Sequence, residues 1–267
     1  MKIRFFTALV LLLWQTAAQA QFDHSRWDAL LRSHVVASAG GQQTAVDYAA
    51  LDSERGKLHA YLEQLAAVDK MTFEHWDESE QLAFLINTYN AWTVELILRH
   101  WPDIDSIREI GFLPGAAWRQ RIVLLFGEQV SLDAVEHDMI RGWGRYNEPR
   151  IHFAVNCAAI GCPALRAEAY TGDKLAQQLD NNTALFLADH SRNYIDGETV
   201  YLSRIFDWYE EDFEQDWQGF DSVLEFIRHY ADAIANNASQ ESRLNTNELR
   251  IRYLDYDWGL NKLDEQL

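Results

Sequence analysis

Cys157 and Cys162 are the only two cysteines of this chain, and four residues separate them. They follow an apolar run, 151–156, which predicts a buried strand that ends at the first thiol. Gly161 and Pro163 then indicate a loop. This arrangement permits a structural disulfide, a reactive thiol at a strand end, or a redox pair. The first alternative describes a binding or structural module, and the other two describe an enzyme.

Each alternative has a physical argument. A disulfide is the default for two cysteines in an exported chain, although so short a loop gives only modest entropic stabilisation. A catalytic Cys157 has to be a thiolate, which requires a cation or a helix N-terminus nearby. Redox exchange is less typical of this spacing, because thioredoxin-like motifs have the pattern Cys-x-x-Cys. The sequence leaves all three open, and Cys162 is then a disulfide partner or a binding residue.

Two histidines are candidate bases for Cys157. Side chains alternate along a strand, so His152 faces away from Cys157 unless the chain bends at Asn156. His137 is therefore the first candidate. It lies on a predicted helix beside Glu136, with Arg141 four residues further along the same face. We expect Glu136 and Arg141 to contribute to binding.

Two asparagines interrupt an apolar helical segment. Asn87 and Asn90 are three residues apart and therefore lie on neighbouring positions of one face. A buried amide without a hydrogen bond costs about 1–3 kcal/mol, and asparagine is a mediocre helix former. These side chains are expected either to hold a neighbouring loop backbone or to orient a catalytic histidine and donate to an oxyanion.

The N-terminus has the pattern of a cleaved signal peptide. Lys2 and Arg4 precede a short apolar run, 5–14, and an Ala-x-Ala site ends at Ala20. We expect residues 1–20 to be removed and residues 21–267 to form a single domain. The mature protein is then soluble and periplasmic or secreted, without a stable membrane anchor.

The charge excludes one class of partner. The formal net charge of -18 becomes about -20 once the two basic residues of the signal segment are lost. Such a surface repels phosphate backbones, so we expect no nucleic-acid partner. The eight carboxylates between Asp207 and Glu225 are interpreted as a solvated face. The two cysteines lack a nearby histidine pair, and the chain has no His-x-x-x-His, so we expect neither a metal site nor a cofactor.

Helical patterns dominate the chain and indicate a helix-rich α+β domain with a small, mainly antiparallel sheet. The segment 78–100 follows the capping-box spacing Asp77-x-x-Glu80 and is apolar on most sides, which predicts a buried central helix. Asp133 and Thr171 are expected to cap later helices, and residues 236–247 to form a surface loop. The other predicted helices are one that Ser25 caps and that runs through residue 36, then 53–68, 134–142, 173–189, 206–213 and 222–236. The other predicted strands are 121–126 paired with 129–132, 193–195 paired with 199–203, and 250–256.

Five segments, in this order, resemble the family catalogued as domain of unknown function 547. They are 83–91 (AFLINTYNA), 131–137 (SLDAVEH), 152–163 (HFAVNC through GCP), 202–209 (LSRIFDWY) and 255–261 (DYDWGLN). The resemblance implies a common fold and a common site, but no particular activity. The polar positions that recur in the family correspond here to Asn87, Asn90, Glu136, His137, His152, Cys157 and Cys162.

Two functions follow as expectations. The first is an exported cysteine-dependent hydrolase or acyl transferase, with Cys157 as nucleophile, His137 or His152 as base, and Asn87 or Asn90 as the orienting or oxyanion group. The second is a non-catalytic periplasmic binding or accessory module with a structural Cys157–Cys162 disulfide. In either case the expected ligand is a small molecule or a peptide.

Overall fold

The central element of the fold is a helix of 21 residues, Glu78–Leu98. Its start is fixed by the carboxylate of Asp77, which accepts a 2.8 Å hydrogen bond from the backbone N–H of Glu80. Every residue from Glu80 to Leu98 is buried. A helix that is buried on all sides lies inside a core. The prediction of a buried central helix is therefore confirmed.

The structure, a computed structural model, describes residues 21–38, 40–246 and 249–263. The predicted signal segment, 1–20, lies outside the described residues. Among the residues that the structure describes, no helix is both long and apolar enough to cross a membrane. The α-helices are α1 Ser25–His34, α2 Tyr48–Ser53, α3 Arg55–Ala66, α4 Lys70–Glu74, α5 Glu78–Leu98, α6 Ala116–Arg119, α7 Leu175–Leu187, α8 Ile205–Trp208, α9 Glu210–Phe213, α10 Val223–His229, α11 Ala231–Ile234 and α12 Ala238–Leu244. Ala134–Arg141 is a π-helix, and Ile107–Glu109 and Pro149–Phe153 are 3-10 helices.

In the part of the chain that the structure describes, the strands form three small sheets. They are β1 Val35–Ala37, β2 Thr44–Val46, β3 Val123–Leu125, β4 Glu128–Val130, β5 Tyr194–Asp196, β6 Thr199–Leu202 and β7 Arg250–Tyr253. The pairs β1–β2, β3–β4 and β5–β6 are antiparallel, and β7 joins β6 in parallel. The helix-rich α+β class is confirmed, with the mainly antiparallel pairing divided among three sheets. The turns between β3 and β4 and between β5 and β6 are residues 126–127 and 197–198, each offset by one residue from the prediction.

Buried apolar side chains form two clusters, and one segment belongs to both. The first cluster surrounds α5, and the second is rich in phenylalanine and includes Phe186, Phe206 and Phe226. Ile151 packs in the first cluster and Phe153 in the second. The two neighbours of His152 in sequence, Ile151 and Phe153, are thus packed in different clusters and hold its backbone in place. The single-domain organisation of residues 21–267 stays a prediction.

The strand predicted at 151–156 is wrong. The chain forms a 3-10 helix, Pro149–Phe153, in which Pro149 occupies the first turn and Glu148 accepts a hydrogen bond from the N–H of Arg150 at 3.1 Å. Periodicity does not separate a buried strand from a short buried helix when every position is apolar or buried. The alternation that placed His152 and Cys157 on opposite faces therefore does not apply.

Several predicted helix ends also differ. The Ser131 hydroxyl, and not Asp133, accepts a hydrogen bond from the N–H of Ala134 at 3.1 Å. Thr171 lies before α7 without capping it, since the helix begins only at Leu175. The predicted surface loop 236–247 contains α12, which Asn237 caps by accepting hydrogen bonds from the N–H groups of residues 239 and 240.

Other helix ends differ from the prediction because a segment predicted as one helix contains two elements in the structure. The first helix ends at His34, where β1 begins, and Ser25 is its first residue instead of its cap. Ser53 ends α2 instead of starting α3. The segments 206–213 and 222–236 each contain two short helices.

Asn90 connects α5 to the cysteine segment. Its amide nitrogen donates to the carbonyl of Ala154 at 2.9 Å, and its amide oxygen accepts from the N–H of Asn156 at 2.8 Å. Asn87 contacts Tyr170 in the same way, with distances of 2.7 and 3.1 Å. Both amides therefore hold loop backbone, the first of the two roles considered from sequence.

Asn90→Ala is expected to lower the free energy of unfolding by about 1–3 kcal/mol, because it leaves a buried N–H and a buried carbonyl unpaired. The measurement is urea unfolding followed by tryptophan fluorescence. Asn236→Ala, at an exposed position, is the control and should change the value by less than about 0.5 kcal/mol. Equal stability of the two variants would contradict the role given to Asn90.

Candidate functional site

Cys157 and Cys162 form a disulfide, with their Cα atoms 6.2 Å apart. Both cysteines line a cavity of about 260 Å³. Cys162 is 5% exposed, whereas Cys157 is only partly buried. Of the three sequence alternatives, the structure therefore has the bridged form, and it places the bridge in the wall of a cavity.

The loop that carries the disulfide is shaped by Asn156. Its side chain accepts from the N–H of Ala158 at 2.9 Å and donates to the carbonyl of Pro163 at 2.8 Å. Ala158 has a φ of 61°, in the left-handed region that costs a residue with a Cβ about 1 kcal/mol or more. The buried contacts of Asn156 hold this strained turn.

Segment 256–261 packs directly on the loop. The N–H of Gly161 donates to the carbonyl of Asp257 at 2.8 Å, and the N–H of Ile160 donates to the carbonyl of Gly259 at 2.7 Å. A Cβ on Gly161 would lie 2.9 Å from that same Asp257 oxygen, so only glycine fits there without displacement. This close approach brings the residue before Asp257, which is Tyr256, next to the disulfide.

The Tyr256 hydroxyl lies 3.2 Å from each of the two sulfurs. Burial raises the pKa of Tyr256 well above its usual range, so the hydroxyl keeps its proton at neutral pH and can donate it to sulfur. The backbone N–H of Cys157 also donates to the Cys162 sulfur, at 2.9 Å. Within the described part of the chain, Tyr256 is the side chain that hydrogen-bonds the Cys157 sulfur, and no imidazole does so.

The π-helix supplies the opposite side of the cavity. Wide turns of this kind are often found at functional sites, and this one carries Glu136, His137 and Arg141. A nitrogen of the Arg141 guanidinium lies 3.0 Å from Nδ1 of His137. Arginine only donates, so Nδ1 is the acceptor and the proton of neutral His137 is on Nε2. In this state His137 offers a donor to the cavity rather than a base.

In His152 the roles of the two ring nitrogens are reversed relative to His137. Its Nε2 lies 2.6 Å from the carboxylate of Asp212, whereas its Nδ1 is buried without a hydrogen-bond partner among the described residues. Because the carboxylate accepts, Nε2 carries the proton and Nδ1 keeps a lone pair. Asp212 is also bound by Arg141, at 2.5 and 2.9 Å. His152 is therefore the better candidate base of the two histidines.

The protonation of this pair follows from burial and charge. Burial lowers the pKa of His152, and Asp212 offsets this only partly because Arg141 already compensates the carboxylate. Burial alone would raise the pKa of Asp212, but hydrogen bonds from His152 and Arg141 outweigh it and hold that pKa far below its usual range. The pair is thus a neutral imidazole on a carboxylate.

Glu136 is a buried carboxylate without a cation. It is 5% exposed, and one oxygen accepts a hydrogen bond of 2.8 Å from the Tyr209 hydroxyl. In the described ranges, no Lys, Arg or His nitrogen lies within 4.0 Å of it. Burial, with a contribution from the negative charge of Glu136, raises the pKa of Tyr209. Among the described residues, the hydrogen bond that holds Glu136 thus comes from a hydroxyl and not from a cation.

Aromatic rings form much of the cavity wall. They are Tyr89, Trp118, Trp208, Tyr209, Tyr256 and Trp258. The Tyr256 ring centroid lies 4.9 Å from that of Trp208 and 4.6 Å from that of Trp258. Tyr209 stacks on His152, with centroids 3.9 Å apart. The charged lining residues are Asp133 and Glu136, and no Lys or Arg of the described chain belongs to the lining.

Residues 73–187 match the model of a family described as a protein of unknown function, DUF547. The match supports the family resemblance over this part of the chain. No curated protein matches the chain, and no solved structure does. The DUF547 match contains the motifs at 83–91, 131–137 and 152–163. The motifs at 202–209 and 255–261, which contribute Tyr209 and Tyr256 to the cavity, lie outside it.

Most site residues proposed from sequence within the DUF547 match meet at the cavity. Cys157, Cys162, His137, His152 and Glu136 line it. Arg141 stands behind the wall, where it binds His137 and Asp212. Asn87 and Asn90 hold loop backbone and do not line it. Their catalytic role stays untested.

Asp212, Tyr209 and Tyr256 were not among the site residues proposed from sequence. Asp212 was assigned to a solvated acidic face, yet its side chain is only 14% exposed. The aromatic spacing around Tyr209 and Tyr256 in the last two motifs was the available signal. In the part of the chain that the structure describes, no group of three or more His, Cys, Asp or Glu is arranged to hold a metal ion.

The pH dependence of stability tests the protonation of His152. Its pKa in the folded protein is lowered from an unfolded value of about 6.5, so its stabilising contribution is complete above that pH and is lost as the pH falls below it. His152→Gln should therefore make the decline of the free energy of unfolding shallower between about pH 6.5 and pH 5. The exposed His190, changed to Gln, is the control. An identical slope in all three proteins would contradict the assignment.

Proposed function

We propose that this protein binds an organic cation, either a small amine or ammonium compound or a basic peptide side chain, in the Cys157–Cys162 cavity. The observation that supports this proposal best is the lining, which combines two carboxylates with six aromatic rings and has no Lys or Arg among the described residues. The disulfide is then part of the wall of a binding module.

The aromatic rings favour a cation over an anion. The face of an aromatic ring carries negative potential, and a desolvated cation within about 6 Å of its centroid gains about 2 kcal/mol. One of these rings already has a cation near it, since the guanidinium of Arg108, which is not part of the described lining, lies 5.1 Å from the Trp258 centroid. An alkylated ammonium group suits such a wall because it loses little hydration on entry.

Glu136 provides the opposite charge. A buried carboxylate is normally paired with a cation, because isolated burial of a charge is costly. Arg141 lies on the same π-helix but is bound to Asp212, so it does not supply that cation. A bound ammonium group would complete the pair.

The net charge and the disulfide agree with this proposal. A chain with a formal charge of -18 attracts cations by long-range steering. A disulfide persists in oxidising compartments, which supports the proposal that the protein is exported to the periplasm or secreted, after removal of residues 1–20.

Choline is a suitable probe, with 3,3-dimethylbutan-1-ol as its uncharged isostere. We expect choline to change the tryptophan fluorescence saturably, because three tryptophans line the cavity, and we expect no such change with the alcohol. Glu136→Gln should weaken choline binding at least about tenfold, as expected for a lost contact to a buried charge. Isothermal titration calorimetry gives the affinities.

Asp138→Asn is the matched control, since it makes the same charge change at an exposed position of the same π-helix. It should leave the affinity for choline within about twofold of the original protein. Equal binding of choline and the alcohol, or equal affinities for Glu136→Gln and the original protein, would contradict the proposal.

A second candidate function is the cysteine-dependent hydrolase or acyl transferase. The observation in its favour is the unpartnered Nδ1 of His152, whose ring is oriented by Asp212 and lines the same cavity as Cys157. In the reduced protein, His152 would accept the proton of the Cys157 thiol, and the thiolate would attack an acyl carbon. His137, with its proton on Nε2, would donate to the developing oxyanion.

This candidate is tested on the protein after reduction of the disulfide. Cys157 should react with iodoacetamide much faster than Cys162 at pH 7, and His152→Gln should slow the Cys157 reaction about tenfold. Mass spectrometry of the modified peptide gives both rates. His190→Gln again serves as the control, and equal inertness of both thiols would contradict the hydrolase.

A further inference from the structure

The disulfide adds little to the stability of the loop that carries it. It joins residues only five positions apart, so its effect on the unfolded chain is modest. Other contacts hold the loop independently. Asn90 accepts a hydrogen bond from the N–H of Asn156 at the start of the loop, and the side chain of Asn156 donates to the carbonyl of Pro163 at its end. Arg192 donates to the carbonyls of Ile160 and Cys162 at 3.0 and 2.5 Å. A bridge in a loop that is fixed without it suggests a chemical rather than a structural role.

The two sulfurs differ in access. Cys157 is partly exposed at the cavity, whereas Cys162 is 5% exposed. A small thiol that enters the cavity therefore has better access to the Cys157 sulfur. In thiol–disulfide exchange, the sulfur that is not attacked leaves as a thiolate.

The two sulfurs also differ in their hydrogen bonds. The Cys162 sulfur has two donors, the backbone N–H of Cys157 at 2.9 Å and the Tyr256 hydroxyl at 3.2 Å. The Cys157 sulfur has the Tyr256 hydroxyl at 3.2 Å. Hydrogen bonds to a charged acceptor are stronger than those to a neutral one. Cys162 is therefore the better leaving group of the pair.

We propose that the Cys157–Cys162 bridge is a redox-active disulfide that exchanges with small thiols, with Cys157 as the attacked sulfur and Cys162 as the leaving thiolate. The attacking thiolate forms a bond to the Cys157 sulfur, while the Cys157–Cys162 bond breaks and its electron pair stays on Cys162. A second thiolate then attacks the sulfur of the bound thiol, and the bond from that sulfur to Cys157 breaks with its electron pair staying on Cys157. Two thiols are oxidised to their disulfide, and the protein disulfide gains two electrons and two protons.

Tyr256 is the catalytic residue of this exchange, because its hydroxyl contacts both reacting sulfurs. Its partly buried position beside the bridge results from the backbone pairing of segment 257–259 with residues 160 and 161. The proposal is independent of cation binding, since it involves neither Glu136 nor Asp133.

The test uses the native, oxidised protein and 2-mercaptoethanol, a small thiol that carries no charged group besides the reacting sulfur. The reaction is stopped early with N-ethylmaleimide, and fragmentation mass spectrometry locates the two adducts on the peptide. We expect mercaptoethanol on Cys157 and maleimide on Cys162. Mercaptoethanol on Cys162, or spread equally over both, would overturn the proposed order.

The rate provides a second measurement. Tyr256→Phe should slow the exchange about fivefold through loss of one hydrogen bond to the leaving sulfur. Tyr253→Phe removes a hydroxyl that contacts neither sulfur and should leave the rate unchanged. Equal rates in the two variants would overturn the role of Tyr256. A bridge that is reduced in the denatured protein but resists the same thiol in the native one would overturn the proposal as a whole.

Discussion

The hydrogen bonds between the Asn90 amide and the backbone on both sides of Val155 are the interaction on which the site depends. They connect a helix that is buried on every side to the segment that carries His152 and Cys157. Because the helix is part of the core, the segment has little freedom to move. The cost of burying the polar amide is offset by pairing both its donor and its acceptor.

From this fixed segment the cavity is assembled by parts of the chain that are distant in sequence. The π-helix brings Glu136 and His137, the short helix at 210–213 brings Asp212, and segment 256–261 brings Tyr256. Two arrangements of charge result. Asp212 is paired with both Arg141 and His152, whereas Glu136 lines the cavity and accepts a hydrogen bond from the Tyr209 hydroxyl, with no cation in contact among the described residues. This difference distinguishes a supporting carboxylate from one that is available to a ligand.

Sequence reasoning was most successful where one local rule determined the result. The capping spacing at Asp77 and the apolar surroundings of Asn87 and Asn90 predicted the central helix, and contacts to loop backbone were one of the two roles considered for these amides. It was wrong at 151–156, because burial on all sides removes the periodicity that separates strand from helix. Asp212 and Tyr256 were missed because their environment comes from tertiary contacts with residues about sixty and one hundred positions away.

The most direct measurement of the central claim is a crystal structure of the protein with phenyltrimethylammonium. The account predicts the quaternary nitrogen within about 6 Å of the aromatic centroids of the cavity wall and beside the Glu136 carboxylate, with Arg141 still bound to Asp212. It is contradicted if the cavity excludes the cation at saturating concentration, or if Arg141 turns to pair with Glu136 in its place.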